Sequence, residues 1–212
     1  MKGHTENRFQ VRLMLLKLPL LALSSLLFAG CIGPMLSHDT GRTLGKGGNQ
    51  IQVASTPDAY RSISYTHGVT ENLDLGIKAE SLNNGFTGKY AFVNHKTGGA
   101  LAAVFGLGTT FGGTYYMGGL ATSYKFNHFE PFAGIRTTQV NVDEAKIKDA
   151  DTGDVFATVP SFNFHYSQAF LGTKIRFNKT FGLSAEAASI FADNDVNFKD
   201  TGYISLAAEL YF

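Results

Sequence analysis

Tryptophan is missing from this chain, cysteine occurs once and proline five times in 212 residues. A single cysteine cannot close a disulfide within the chain, and a metal would find no second thiolate beside it. Nucleophilic work by that thiol would need basic neighbours to depress its pKa, but Cys31 lies between Gly30 and Ile32. An excess of one charge is lacking too. Lysine and arginine number 18 against 17 acids, so there is no electrostatic footprint for nucleic acid. No apolar run reaches the ~20 residues of a membrane-spanning helix. What is plentiful is glycine (24), phenylalanine (18) and tyrosine (9). Abundant glycine and aromatics without long apolar runs fit many short alternating strands.

The N-terminus reads as an address. Lys2, Arg8, Arg12 and Lys17 stand against one acid, Glu6, and are followed by the uncharged stretch LPLLALSSLLF, Leu18 to Phe28. A basic region followed by a short apolar one has signal-peptide form, and Pro19 interrupts a helix read across it. An ordinary cleavage site wants small residues, and Phe28 and Leu27 are too bulky for it. The stretch FAGC, Phe28 to Cys31, instead resembles a bacterial lipobox, with Phe28 where leucine is usual. That resemblance implies cleavage before Cys31 and acylation of its thiol. The plainer reading is a cysteine inside a leader. Removing residues 1–30 turns the formal charge slightly negative. Residues 32–49, IGPMLSHDTGRTLGKGGN, are glycine-rich, mostly polar and aperiodic. The expected organisation is a lipoprotein-type signal peptide over 1–30, a lipidated N-terminus and linker over 31–47, and one β domain over 48–212.

From residue 48 onwards period-two alternation dominates. LDLGIKAE sets Leu73, Leu75, Ile77 and Ala79 against Asp74, Gly76, Lys78 and Glu80. ISLAAELYF sets Ile204, Leu206, Ala208, Leu210 and Phe212 against Ser205, Ala207, Glu209 and Tyr211. In LAAVFGLGTTF the apolar set is taken as Leu101, Ala103, Val104, Phe105 and Leu107. Ten strands are expected at 48–55, 59–68, 73–81, 86–94, 100–111, 114–126, 130–141, 162–177, 181–191 and 201–212. An even count suits a closed antiparallel up-and-down transmembrane β-barrel. Alternate connections are tight and hold Asn72, Asn94, Asn127 and Asn178, a residue that tolerates the left-handed backbone of turns. The other connections, including a long loop over 141–161, are expected to be longer, as on the outer side of such barrels.

One strand face carries Asp74, Lys78, Glu80, Lys89, Lys125, Arg136, Lys174, Arg176, Glu186 and Glu209. In a soluble lipocalin-like carrier these would face water. In a membrane barrel they would point inwards. Aromatics fall near both strand ends, as interfacial girdles do. Tyr65, Phe92, Tyr124, Phe126, Phe132, Phe177, Phe181, Tyr211 and Phe212 lie at one end. Phe86, Phe111, Tyr115, Tyr116, Phe162, Phe164, Phe191 and Tyr203 lie at the other.

The chain ends AELYF, and its Leu210, Tyr211 and Phe212 resemble the C-terminal insertion signal of bacterial outer-membrane barrels. YTHGVTENLDLGIKAE, Tyr65 to Glu80, resembles their strand-turn-strand consensus, and GRTLGKGGNQIQV, Gly41 to Val53, resembles the opening of some barrels that follow a lipobox. The resemblance implies residence in the bacterial outer membrane with both termini periplasmic. Outer-membrane lipids and lipopolysaccharide would be its surroundings, and the barrel-assembly machinery its partner during insertion. No nucleic acid, cofactor or metal is expected.

Chemistry has few footholds. Some small outer-membrane barrels are proteases or lipid A hydrolases, and His165, with Ser167 two residues on and Asp193 and Asp195 as candidate acids, would be the centre of such a site. Two acidic stretches, DADTGD at 149–154 and DNDVN at 193–197, partly echo a calcium loop, but Pro160 stands where an EF-hand places its bidentate glutamate. The expectation is a structural or interaction role, or a narrow passive channel. A ten-stranded barrel lies near the size that side chains fill.

Overall fold

A computed structural model of the chain describes residues 36–81, 83–110, 112–148, 155–192 and 201–212. The strands are β1 (Asn49–Ser55), β2 (Arg61–Gly68), β3 (Leu73–Glu80), β4 (Asn83–Asn94), β5 (Gly98–Thr110), β6 (Gly113–Lys125), β7 (Phe129–Val142), β8 (Ala145–Lys148), β9 (Val155–Val159), β10 (Phe162–Arg176), β11 (Phe181–Ala192) and β12 (Thr201–Tyr211). Ten of them form a closed antiparallel up-and-down barrel in chain order, with β7 paired directly to β10. Closure comes from β1 and β12, in register from Gln50 opposite Tyr211 to Ser55 opposite Leu206. The barrel strands begin and end within a few residues of the segments expected from alternation.

Strands β8 and β9 form a separate two-stranded hairpin inside the stretch expected as a plain loop. Their alternating runs, AKIK and VFATV, are too short to stand out from sequence alone.

At one end of the barrel, here the turn end, β2–β3, β4–β5, β6–β7 and β10–β11 are joined. At the opposite loop end the lengths are uneven. Two residues each separate β3 from β4 and β5 from β6, at 81–82 and 111–112, whereas 56–60, 143–161 and 193–200 are longer. The asparagines do different jobs from the one expected. Only Asn127 has a left-handed backbone, at φ 50°. Asn178 instead caps its turn, its side-chain oxygen accepting the Thr180 and Phe181 amides at 2.7 Å.

Alternation sorts the two faces sharply. Arg61, at the loop-end margin, is the one Asp, Glu, Lys or Arg of the described barrel-strand residues whose side chain points outwards. The outer face between the ends is Ile63, Ile77, Ile135, Leu171, Ile204 and Leu206, each more than half exposed. Tyr65, Phe92, Tyr124, Phe126, Phe177 and Phe212 extend outwards at the turn end, and Phe86, Tyr116 and Phe191 at the loop end. A bulge in β4 between Ala91 and Val93 lets both Phe92 and Val93 face out.

Several aromatics expected in the girdles turn inwards instead. Phe132, Tyr115, Phe164, Tyr203 and Tyr211 occupy the inward parity of their strands, as does Val104, and help fill the interior. Phe132 and Phe170 show why they fit. Each ring lies across a glycine of the neighbouring strand, Phe132 over Gly172 and Phe170 over Gly134, where a Cβ would collide with it. Their centroids are 6.4 Å apart.

Candidate functional site

The interior is where chemistry collects. Asp74, Lys78, Glu80, Lys89, Lys125, Arg136, Lys174, Arg176, Glu186 and Glu209 all project into it, joined by Glu130 near the start of β7. Charges out of water require partners, and several of these have close ones. Lys78 pairs with Glu80 at 2.5 Å and Lys174 with Glu209 at 3.1 Å, while Lys89 stands 3.9 Å from Asp74. Arg176 lies over the Tyr211 ring, 3.7 Å from its centroid, a cation–π contact. The Tyr211 hydroxyl donates to Glu209, so one residue of the insertion-signal motif is part of the inner wall. Leu210 and Phe212, its neighbours, face outwards.

Residues 36–44 lie inside the barrel. This stretch had read as part of a tether, because its glycines and polar residues carry no period. Leu36, Ser37, His38, Thr40 and Thr43 are instead buried. From β1 the chain turns at Gly45–Gly48 and passes inwards from the turn end. Leu44 donates its amide to the Asp74 carboxylate at 3.0 Å, and the Thr43 hydroxyl donates to the Glu71 carbonyl at 2.6 Å. Arg42 pairs with Glu130 at 3.2 Å and donates to the Gly98 carbonyl at 2.9 Å. Gly41 sits against the wall, where a Cβ would lie 2.5 Å from the Ala100 carbonyl oxygen and 2.9 Å from that of Ala121. No larger residue fits there.

The deeper half is held by Glu186. Its carboxylate accepts the Ser37 amide at 3.3 Å, the His38 amide at 2.6 Å and the Ser37 hydroxyl. A left-handed φ of 49° at His38 accompanies the approach of both amides to one carboxylate. Successive N–H groups in such turned backbone form a natural anion cradle. The His38 ring is bracketed by the Ser184 hydroxyl at 2.9 Å from Nδ1 and the Ser205 hydroxyl at 3.0 Å from Nε2. Ser184 continues to Glu209 at 3.1 Å, and through it to Lys174. Leu36 ends the described segment, packed on Ala54 and Ala207, its carbonyl accepting from Lys78 and Arg136.

Buried Arg136 is oriented in turn. Its Nε donates to Gln168 at 2.6 Å, Gln168 donates to the Tyr203 hydroxyl at 2.5 Å, and Tyr203 donates to Glu186 at 3.1 Å. Above this, in the 56–60 loop, Tyr60 donates to Glu80 at 3.2 Å. Burial pushes its phenol well above the ordinary range, and the Glu80 carboxylate adds to the shift. A cavity of only about 50 Å³ remains between the segment and the wall, reaching Gln52, Asp74 and Lys78. That is room for a water molecule or so.

The other candidate sites separate. His165 faces the outside of β10, and Ser167 on the same face shares a hydrogen bond of 3.0 Å with Thr137. Asp193, Asp195 and the acidic stretch 149–154 lie outside the described residues, as do Cys31 and the leader. Among the described residues no cluster of three or more His, Cys, Asp or Glu could hold a metal.

Sequence reading missed the segment itself and its holders Gln52, Glu130, Gln168, Ser184, Tyr203 and Ser205. One signal was available. Ala54, Ala100, Ala102, Ala121, Ala188 and Ala207 stand on the polar face, and small side chains on the inner wall leave space that a close-packed interior must fill.

No family model matches the chain, and no curated protein does. Among solved structures, it is similar to the N-terminal β-barrel domain of Pseudomonas aeruginosa OprF, with 12% identity over 79% of this chain and 99% of that one, TM-score 0.39. It is also similar to Ail, the attachment invasion locus protein of Yersinia pestis, with 11% identity over 78% and 94%, TM-score 0.30. A third is the KdgM porin in complex with disordered oligogalacturonate, with 9% identity over 78% and 98%, TM-score 0.37. At these scores the likeness carries no inference about activity.

Proposed function

We propose that this chain is an outer-membrane β-barrel lipoprotein whose role is structural or interactive, its lumen closed by its own N-terminal segment. The membrane part of the reading rests on inverted polarity. The outer wall is apolar between aromatic ends and the charges are inside, the pattern of strands that cross lipid. The observation that favours a closed barrel over a passive channel is the seating of residues 36–44 by Glu186, Asp74 and Glu130. Acylation of Cys31 would add a lipid anchor to a barrel that already spans. The outer membrane, with its lipopolysaccharide, is then the site of action, and the assembly machinery a partner only during insertion.

A catalytic reading has little support, because His165 points away from every buried polar group described above. Planar-bilayer recording tests the central reading. The full chain should insert and show no steady conductance. A steady open pore in the unaltered protein would refute the closed lumen. Mass spectrometry of the mature N-terminus, together with membrane fractionation, tests Cys31 separately: an unmodified N-terminus would remove the lipoprotein part and leave the barrel.

A further inference from the structure

Residues 36–44 are not built into the barrel as a strand. They join no β ladder, and much of their grip is on main-chain atoms. Wall carboxylates take the amides of Ser37, His38 and Leu44, and wall cations take the carbonyl of Leu36. A surface that binds another chain's main-chain groups with its own side chains recognises a peptide, whichever molecule that peptide belongs to. Main-chain contacts supply grip, and a few side-chain positions supply specificity.

Three positions read sequence. At His38 an imidazole bridges the Ser184 and Ser205 hydroxyls. At Gly41 only glycine clears the Ala100 and Ala121 carbonyls. At Arg42 a guanidinium meets Glu130 and the Gly98 carbonyl. The segment meets β1 through a turn in which Lys46 and Gly47 are exposed, and Gly45 and Gly47 both have φ of 80°. So the occupant is separated from the wall by an accessible glycine-rich joint.

We propose that the inner wall is a binding site for a polar peptide carrying a Gly-Arg pair, and that residues 36–44 are the occupant supplied in cis. The proposal rests on the closed-lumen reading and goes beyond it, because a fixed stopper need not be exchangeable. The occupant places an imidazole three residues before the glycine, with a left-handed turn at His38.

The test uses the full chain in detergent micelles with a specific protease site inserted between Lys46 and Gly47. If the insertion impairs folding, limited trypsin at native Lys46 serves instead. The probe is a fluorescent synthetic peptide of residues 36–44. After the joint is cut, the peptide should enter the barrel and be competed by its unlabelled form. A Gly41→Val peptide should lose incorporation, and an Arg42→Ala peptide should compete only at higher concentration. The uncut protein should take up none. A cut barrel that stays non-conducting yet never accepts the peptide overturns the proposal while sparing the closed lumen. Equal uptake of the Gly41→Val peptide overturns it as well, by showing non-specific adsorption. Steady conductance before cutting refutes the closed lumen itself, and the proposal with it.

Discussion

The His38 amide donates to the Glu186 carboxylate at 2.6 Å, across 148 residues of sequence. The contact joins the aperiodic N-terminal stretch to the middle of β11 and fixes the deeper half of the occupied lumen. A carboxylate that accepts two amides and a hydroxyl makes strong charge-assisted bonds. Replacing Glu186 with alanine therefore removes several at once, each worth about 1.5–3 kcal/mol. Hydrogen exchange in micelles should show the Ser37 and His38 amides losing protection while the strands keep theirs. Unchanged protection at these two amides would count against Glu186 as the anchor.

Gly41 offers a steric test that leaves every charge in place. In Gly41→Val the new side chain meets fixed backbone, the Ala100 carbonyl, rather than a side chain that can move aside. The segment must shift outwards. The barrel should still show heat-modifiable gel mobility, because no ladder bond is touched, and bilayer recording should reveal openings absent from the parent. A variant as silent as the parent would mean the wall yields.

Lys174 and Glu209 provide a pair for a double-mutant cycle. Both side chains are nearly inaccessible and 3.1 Å apart, and Gln52 and Ser184 also donate to Glu209. Lys174→Met strands a buried carboxylate and should cost about 3–5 kcal/mol, whereas changing both residues to apolar ones of similar volume should recover much of it. Urea unfolding in micelles reads the difference. A single-mutant loss under ~1 kcal/mol, the scale of exposed pairs, would show that water reaches the site.

The outer wall can be tested at Leu171, in β10 and 64% exposed. Leu171→Arg should destabilise the bilayer-inserted barrel by about 2–4 kcal/mol. On a water-exposed surface the same change would stay within about 0.5 kcal/mol. The smaller effect in folding titrations from lipid vesicles would revive the tethered lipocalin-like carrier.

These residues also show how far the sequence could be read. Asp74, Lys78, Glu80, Lys174, Arg176, Glu186 and Glu209 fall on one strand face because the two-residue period is a local property of extended backbone. A window of eight residues such as LDLGIKAE shows it. The same locality placed the ten barrel strands. It could not say which aromatics face lipid near a strand end, and Phe132, Tyr115, Tyr203 and Tyr211 were assigned by their nearness to an end when strand parity sends them inwards.

The sequence by itself determined the ten barrel strands, their antiparallel order and the face the charges share, because alternation and turn chemistry act over a few residues. Only the tertiary structure decided the fate of residues 36–44. Nothing local distinguishes a tether from an occupant in SHDTGRTL. Its partners Asp74, Glu130 and Glu186 are 30, 88 and 148 residues from Leu44, Arg42 and His38, and they meet only when β1 and β12 close the barrel around it.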